Sequence, residues 1–331
     1  MHSKVEEVRS GVFHLQFEIP YNVQPVNIYL LAGSPVTLID TGPIMQGVEE
    51  TVFRLLGEAG FPPSSLERII ITHHHPDHMG LAGRLKARSA AEVVCHRLGE
   101  PMVRDYAGEA RRLVDYLVGV SAYMGLDRNL VEATVKKTSD WSKVAEGVAV
   151  DRLLEDGNLL AGDPFTLRAI HTPGHCIDHL CMYLEEEKLL FTGDMLLSSI
   201  TPNPDLYPPW QSYERSGLPG YLRSLEKISK LDVELALPGH GALILDFPGR
   251  VAVVLEHHRE RMDYIAGVLR GRRMTVLELA LDLLDFIGAD RTPENIFLAM
   301  REVFGHLILL EREGRTAEML DGETAFFYNA E

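Results

Sequence analysis

Cysteine is scarce in this chain. Cys95, Cys176 and Cys181 are too few and too irregularly spaced for a disulfide framework, which suits a reducing compartment. No uninterrupted apolar run is long enough to span a bilayer, so no membrane partner is expected. The opening Met1-His2-Ser3-Lys4-Val5-Glu6-Glu7 lacks the charged-then-apolar order of a signal peptide, and a cytoplasmic location is the expectation. Cationic residues are also in deficit. Against 48 Asp and Glu stand 32 Lys and Arg, a formal net charge of −16, which argues against a broad nucleic-acid-binding surface but not against a local basic patch. What is present is ordinary: 46% hydrophobic and 24% charged residues over 331 positions, enough for one large domain and a smaller one.

One stretch departs from the ordinary. Ile69-Ile70-Ile71 reads as a buried strand, and it runs into Thr72-His73-His74-His75-Pro76-Asp77-His78-Met79-Gly80. Four imidazoles and a carboxylate on a loop at a strand's end combine rigid support with access to solvent. They are donors of the kind taken by zinc or a similar first-row divalent ion. The pattern recurs along the chain. A strand over Val36–Ile39 ends in Asp40-Thr41-Gly42, where Asp40 reads as a turn carboxylate. Phe165–Ile170 leads into His171-Thr172-Pro173-Gly174-His175. A hairpin of Leu180–Leu184 and Leu189–Phe191 ends in Thr192-Gly193-Asp194, and Val233–Leu237 runs into Pro238-Gly239-His240-Gly241.

Between these motifs the periodicities are conventional. Phe13, Leu15, Phe17 and Ile19 alternate as a half-buried strand, Asn27–Leu31 adds another, and Val48, Val52, Leu55 and Leu56 fall at helical spacing. Residues 99–150 interrupt the strand pattern. Leu113, Tyr116, Leu117, Val120 and Met124 share one helical face, and Asp127 can cap a second helix carrying Leu130, Val131 and Val135. This insertion is expected either to wall or cover the site or simply to pack on the sheet. Met102, Tyr106, Tyr123 and Met124 are expected in the core. The loop from Ser198 to Asp205 and the aromatic run Tyr207–Tyr213 are candidates for a substrate wall, with a self-packed surface loop as the alternative.

The run His73, His75, Asp77, His78 resembles the His-x-His-x-Asp-His motif of the metallo-β-lactamase superfamily, and the later motifs follow in the expected order over about Gly11 to Leu245. The resemblance implies an α+β fold, a four-layer αβ/βα sandwich. It implies that His73, His75 and His175 hold one metal ion and Asp77, His78 and His240 a second, with Asp194 bridging and Asp40 supporting the loop. The implied cofactors are two divalent ions, zinc first, with iron or manganese as alternatives. The implied chemistry is attack of a metal-activated hydroxide on an ester, thioester, lactone, amide or phosphodiester. Asp77 and His179 are the candidate catalytic residues. His179, four places past His175, is a candidate to orient a ligand or protonate a leaving group, with a plain hydrogen-bonded strand residue as the alternative. His74, His171, His257 and His258 are given no ligand role.

Aspartate rather than cysteine at the bridging place resembles glyoxalase II and the nuclease branches. His75 stands where flavodiiron reductases carry glutamate, and persulfide dioxygenases share most of these ligands around a single iron. Thr172–His179 with Phe191–Asp194 resembles the lactamase-like endoribonucleases that carry a C-terminal winged-helix-type domain. The end of the chain agrees with that outline: a long helix over Val251–Leu269, a capping box at Thr275–Glu278, a Thr292-Pro293 helix start, and a hairpin about Asp321-Gly322-Glu323. The expected division is therefore a hydrolase domain over 1–249, with the helical insertion at about 99–150, and a winged-helix-like domain over 250–331. Residues 251–331 hold nine arginines and no lysine against fifteen acidic residues, and Arg270, Arg272 and Arg273 are the one cluster. Nucleic acid is thus disfavoured as a partner. A small acyl compound is the expected substrate, and a homodimer is left open.

Overall fold

The computed structural model describes residues 2–20, 24–127, 131 and 143–330. Apart from Val131, the helix expected from Leu130 to Val135 lies outside the described residues. Two sheets face one another. The first has seven strands in chain order: β1 (Ser3–Arg9), β2 (Val12–Phe17), β3 (Val26–Leu31), β4 (Thr37–Ile39), β5 (Arg68–Ile70), β6 (Glu92–His96) and β7 (Arg152–Leu154). Pairing is antiparallel from β1 to β4 and parallel from β4 to β7. The second sheet runs β12-β11-β10-β9-β8, built from β8 (Leu159–Leu160), β9 (Leu167–His171), β10 (Leu180–Leu184), β11 (Leu189–Gly193) and β12 (Leu235–Pro238). The expected hairpin is the β10–β11 pair, and β12 joins β11 in parallel.

Side-chain alternation sends successive residues to opposite faces, and here both faces are covered. Tyr29, Ile39, Ile70 and Val94 from the first sheet meet Leu167, Leu180, Met182 and Phe191 from the second. Leu15, Phe17, Leu38, Ile69 and Val93 point outward onto Val52, Leu55 and Leu85 of the helices Val48–Glu58 and Ala82–Arg88. Tyr183, Leu190 and Ala236 point outward onto Tyr221 and Leu225 of the helix Leu218–Ile228 and onto Val251 and Val254 of the helix Phe247–Val268. Helix, sheet, sheet, helix: this is the four-layer αβ/βα sandwich. It also corrects the reading of β2 as half-buried. Its second face carries Val12 in the inter-sheet core and a buried His14 bonded to Asn27 at 2.8 Å, because the facing sheet covers this side while the helical layer covers Leu15 and Phe17 on the other.

Two additions flank the sandwich. The insertion contributes helices Glu100–Arg104 and Tyr106–Gly119. The expected apolar face ran on to Met124, but the helix stops at Gly119. The Tyr123 and Met124 carbonyls accept instead from Ala325 and Leu277, so this backbone is committed to the C-terminal part. Met102, Tyr106 and Met124 are core residues, as expected, while Tyr123 is part-buried and its hydroxyl donates to Glu318. The C-terminal part comprises the end of Phe247–Val268, the helices Val276–Ile287 and Pro293–Arg312, and a sheet ordered β13-β15-β14 from β13 (Arg273–Met274), β14 (Thr316–Asp321) and β15 (Thr324–Asn329). The Thr275–Glu278 capping box forms, and Thr292 caps the last helix through the Asn295 amide. Along Phe247–Val268 the packing changes hands: Val251 and Val254 belong to the sandwich, Ile265 to the C-terminal core. Leu255 of the same helix is 39% exposed.

Candidate metal centre

The residues after β4, β5, β9, β11 and β12 come together at one edge of the sandwich. After β5 the chain turns through Thr72–His75, and Pro76 opens a single helical turn, Pro76–Met79, with its fixed φ. That turn places Asp77 and His78 side by side. The amide of Thr41 donates to the His78 carbonyl at 2.8 Å, tying this turn to the end of β4. Across the edge, the amide of Asn27 in β3 donates to the Gly239 carbonyl at 2.8 Å, which fixes the turn carrying His240.

Donor atoms converge in two groups. In the first, His75 Nδ1 lies 3.1 Å from His73 Nε2 and 3.0 Å from His175 Nε2. A tetrahedral zinc with bonds of about 2.0–2.1 Å separates its ligand atoms by about 3.3 Å, so this spacing is close to that of a coordination edge. In the second, His240 Nε2 lies 3.2 Å from Asp77 Oδ2, and His78 Nε2 lies 3.9 Å from Asp77 Oδ1. Asp194 sits between the groups. Its Oδ2 is 3.6 Å from both His175 Nε2 and His240 Nε2, and its Oδ1 is 3.5 Å from His78 Nε2. All seven expected ligands are therefore at one place, and buried or nearly so.

The far nitrogen of each ring is anchored. His73 Nδ1 meets Thr72 Oγ1 at 3.0 Å, and His78 Nδ1 donates to Asp40 Oδ2 at 2.8 Å. His175 Nδ1 donates to the Asn203 carbonyl at 3.0 Å, His240 Nδ1 to the Gln24 carbonyl at 3.2 Å, and His75 Nε2 contacts Cys176 Sγ at 3.3 Å. Such partners fix the tautomer, leaving the inward nitrogen as the donor. Asp40 holds φ of 61°, a left-handed conformation that aspartate tolerates. From there it accepts from Thr72 N, Thr72 Oγ1 and His78 Nδ1, each at 2.8 Å.

The electrostatics divide the site. Burial, then neighbouring imidazoles, holds His73 and His75 well below the usual histidine range, so their lone pairs are free. Burial would lower His78 too, but Asp194, Asp40 and Asp77 push it well above that range. For Asp194, burial works upward and is overcome by His240 and His78, which hold the carboxyl well below its usual range. His78 Nε2 and Asp194 Oδ1 are buried without a hydrogen-bond partner. Two orphaned buried polar atoms facing each other, beside three neutral imidazoles, fit divalent cations. Close approach is required here. A Cβ on Gly239 would stand 2.5 Å from Asp194 Oδ1 and 2.7 Å from His78 Cε1.

His179 needs correction as a candidate acid. It is wholly buried, its Nε2 accepts from the Asp194 amide at 3.0 Å, and its Nδ1 bonds Thr172 Oγ1 at 2.9 Å. Burial lowers its pKa to about 3. With both nitrogens engaged by protein groups, it positions the backbone of Asp194. It also precedes β10 rather than lying in a strand. His74, given no ligand role, pairs with Asp178 at 2.7 Å. Residues not expected among the donors prove close to them: Cys176, Asn203 and Asp205. Their signal was weak, since one merely follows a ligand and the others lie in a proline-rich loop. That loop backs His175, and its aromatic continuation packs on the insertion, with Trp210 edge-on to Tyr116 and under Arg112. Tyr213 is 96% exposed, so a continuous aromatic wall does not form.

Comparison with known proteins accords with this geometry. The family profile described as the metallo-beta-lactamase superfamily matches residues 21–240. Probable metallo-hydrolase YqjP of Bacillus subtilis is 27% identical over 326 residues, spanning 96% of this chain and 97% of that protein. Atrochrysone carboxyl ACP thioesterase AgnL7 of Paecilomyces divaricatus is 33% identical over 209 residues, 61% of this chain and 60% of that protein. The crystal structure of metallo-beta-lactamase family protein TTHA1429 from Thermus thermophilus superposes with a TM-score of 0.79 at 28% identity, covering 98% of this chain and 100% of that one.

Proposed function

Because this chain belongs to the metallo-β-lactamase superfamily and is a metal-dependent hydrolase, we propose that it hydrolyses a small thioester at a binuclear centre. The observation that carries the reading is the set of five anchored imidazoles whose free nitrogens face two carboxylates. His73, His75 and His175 would hold one ion, Asp77, His78 and His240 the other, and Asp194 both. When bound, a pair of divalent ions supplies an activated water and a Lewis-acid contact for the scissile carbonyl. The overall change is thioester plus water to carboxylate plus thiol, so no serine or cysteine nucleophile is called on. Asp77, whose side chain is 15% exposed, would orient the attacking water by accepting its hydrogen bond. His179 holds the Asp194 amide, and Asp40 holds His78 and Thr72, so the donors need no rearrangement when substrate arrives. The thioesterase named among the relatives supports this acyl class over others in the superfamily.

The test is a joint one. Metal analysis of the purified protein should find close to two ions per chain, and a panel of thioesters, lactones and single-stranded RNA should show turnover of the thioesters that chelation abolishes. Asp77→Ala should remove it. RNA cleavage without thioester turnover would replace the reading with a phosphodiesterase, and one tightly held iron with oxygen-dependent activity would replace it with a dioxygenase.

A further inference from the structure

Beside the candidate centre stand three donors that the centre does not use. His74, Cys176 and Asp205 group with His75 so that one donor atom from each lies within 4.8 Å of the others. His74 and Cys176 are buried, and His75 and Asp205 are partly so. They come from three stretches that the fold brings together: the turn after β5, the turn after β9 and the loop after β11. Each is held from behind. Asp178 Oδ1 pairs with His74 Nδ1 at 2.7 Å, which leaves Nε2 as the free nitrogen of that ring. The Leu206 amide and Arg301 Nη2 both approach Asp205 Oδ1, at 3.0 and 2.9 Å, and Oδ2 is left uncommitted among the described residues. A carboxylate behind an imidazole, with the opposite nitrogen left over, is the arrangement that orients metal ligands.

The thiol sets this group apart from the histidines of the first candidate ion. His75 turns Nδ1 to His73 and His175, at 3.1 and 3.0 Å, and Nε2 to Cys176 Sγ at 3.3 Å. The two nitrogens of an imidazole diverge, so an ion at Nε2 is not the ion at Nδ1.

We propose that His74, Cys176 and Asp205, with His75 Nε2 as a shared fourth donor, form a third cation site that takes a thiophilic divalent ion such as zinc or cadmium. One sulfur, two imidazole nitrogens and a carboxylate oxygen are a donor set that zinc accepts, and the thiolate turns the site away from magnesium and calcium. Entry of the ion displaces the protons on Cys176 Sγ and His75 Nε2, which pass to solvent, and His74 binds in its neutral form. Thiolate, carboxylate and imidazolate then set three negative charges against the two of the ion and the one of Arg301 beside Asp205. Because His75 already serves another ion, this site fills last, after the pair that purified protein should carry.

The experiment titrates the metal-stripped full chain with cadmium, counting bound ions by equilibrium dialysis and following the ultraviolet thiolate-to-cadmium charge-transfer band. Three ions should bind, and the band should grow only with the last. Cys176→Ala and Cys176→Ser should each stop at two ions with no band, the serine preserving the shape of the buried side chain should alanine unsettle the fold. Asp205→Asn, which keeps an acceptor for Leu206 and Arg301, should weaken the third ion by about tenfold or more and leave the first two in place. A titration that ends without a thiolate band would overturn the proposal. So would a band that survives in Cys176→Ser, since it would belong to Cys95 or Cys181. A band that rises within only two bound ions and is indifferent to Asp205→Asn would also overturn it, by making Cys176 a ligand of the ion at His73, His75 and His175. A band that needs both Cys176 and Asp205, with fewer than three ions bound in all, would retain this site and sink the binuclear reading instead.

Discussion

Asp40 shows what one carboxylate settles in this protein. Of the seven candidate ligands it bonds His78, and it accepts from Thr72 N, Thr72 Oγ1 and His78 Nδ1 together. Asp40→Ala would leave a buried amide and a buried imidazole nitrogen unmet. Metal affinity should fall about 10–100-fold, read by competition with a chelating dye, while the far-ultraviolet spectrum stays native. Unchanged affinity would show that the hydrogen bonds are incidental. Gly239 makes the complementary point through space rather than bonding. Gly239→Ala drives a methyl against Asp194 and His78, and the variant should purify with less than its full complement of metal by elemental analysis. At this scale the sequence was most informative for the donors themselves, because few residue types can serve and their order is specific. It was silent on which nitrogen of each ring faces inward. That depends on partners such as Asn203, Gln24 and Cys176, brought up by the fold from far along the chain.

Elements were legible where local chemistry decides them. The capping box at Thr275 and the threonine cap at Thr292 form as their sequences imply, and Thr275→Ala should cost about 1 kcal/mol, seen as a lower urea midpoint. Elements were misjudged where tertiary partners decide them, as with the helix that gives up Tyr123 and Met124 to the C-terminal sheet and helix. The crossing of helices Phe247–Val268 and Pro293–Arg312 carries a consequence no periodicity announces. His258 Nδ1 donates to His306 Nε2 at 3.2 Å, and His306 Nδ1 donates to the Glu302 carbonyl at 2.7 Å. Burial lowers the His306 pKa to about 4. Between that value and the unfolded value of about 6.5 the unfolded chain binds a proton that the native one does not, so stability rises with pH across this window and is lost as pH falls through it. His306→Gln should flatten the pH dependence of the denaturant midpoint between pH 6.5 and 4. A slope equal to wild type would assign the effect elsewhere.

For the whole molecule, the candidate centre is a product of topology. β4, β5, β9, β11 and β12 end at one edge because parallel pairing joins β4 to β5 and β11 to β12, and antiparallel pairing through β10 aligns β9 with β11. Sequence order placed the motifs, but only the packed sandwich makes residues separated by more than a hundred positions into neighbours. This has a thermodynamic corollary. Every candidate ligand lies between His73 and His240, and none belongs to the C-terminal core. Ions bound only by the native arrangement stabilise it by mass action, about 4 kcal/mol at a thousandfold excess over Kd. Chelation should therefore lower the melting temperature of the sandwich by on the order of 10 °C, and zinc should restore it. If the C-terminal core melts as a separate step in calorimetry, that step should stay in place. A chelator that moves the C-terminal step and leaves the sandwich untouched would mean that the stabilising ion sits somewhere other than among these histidines.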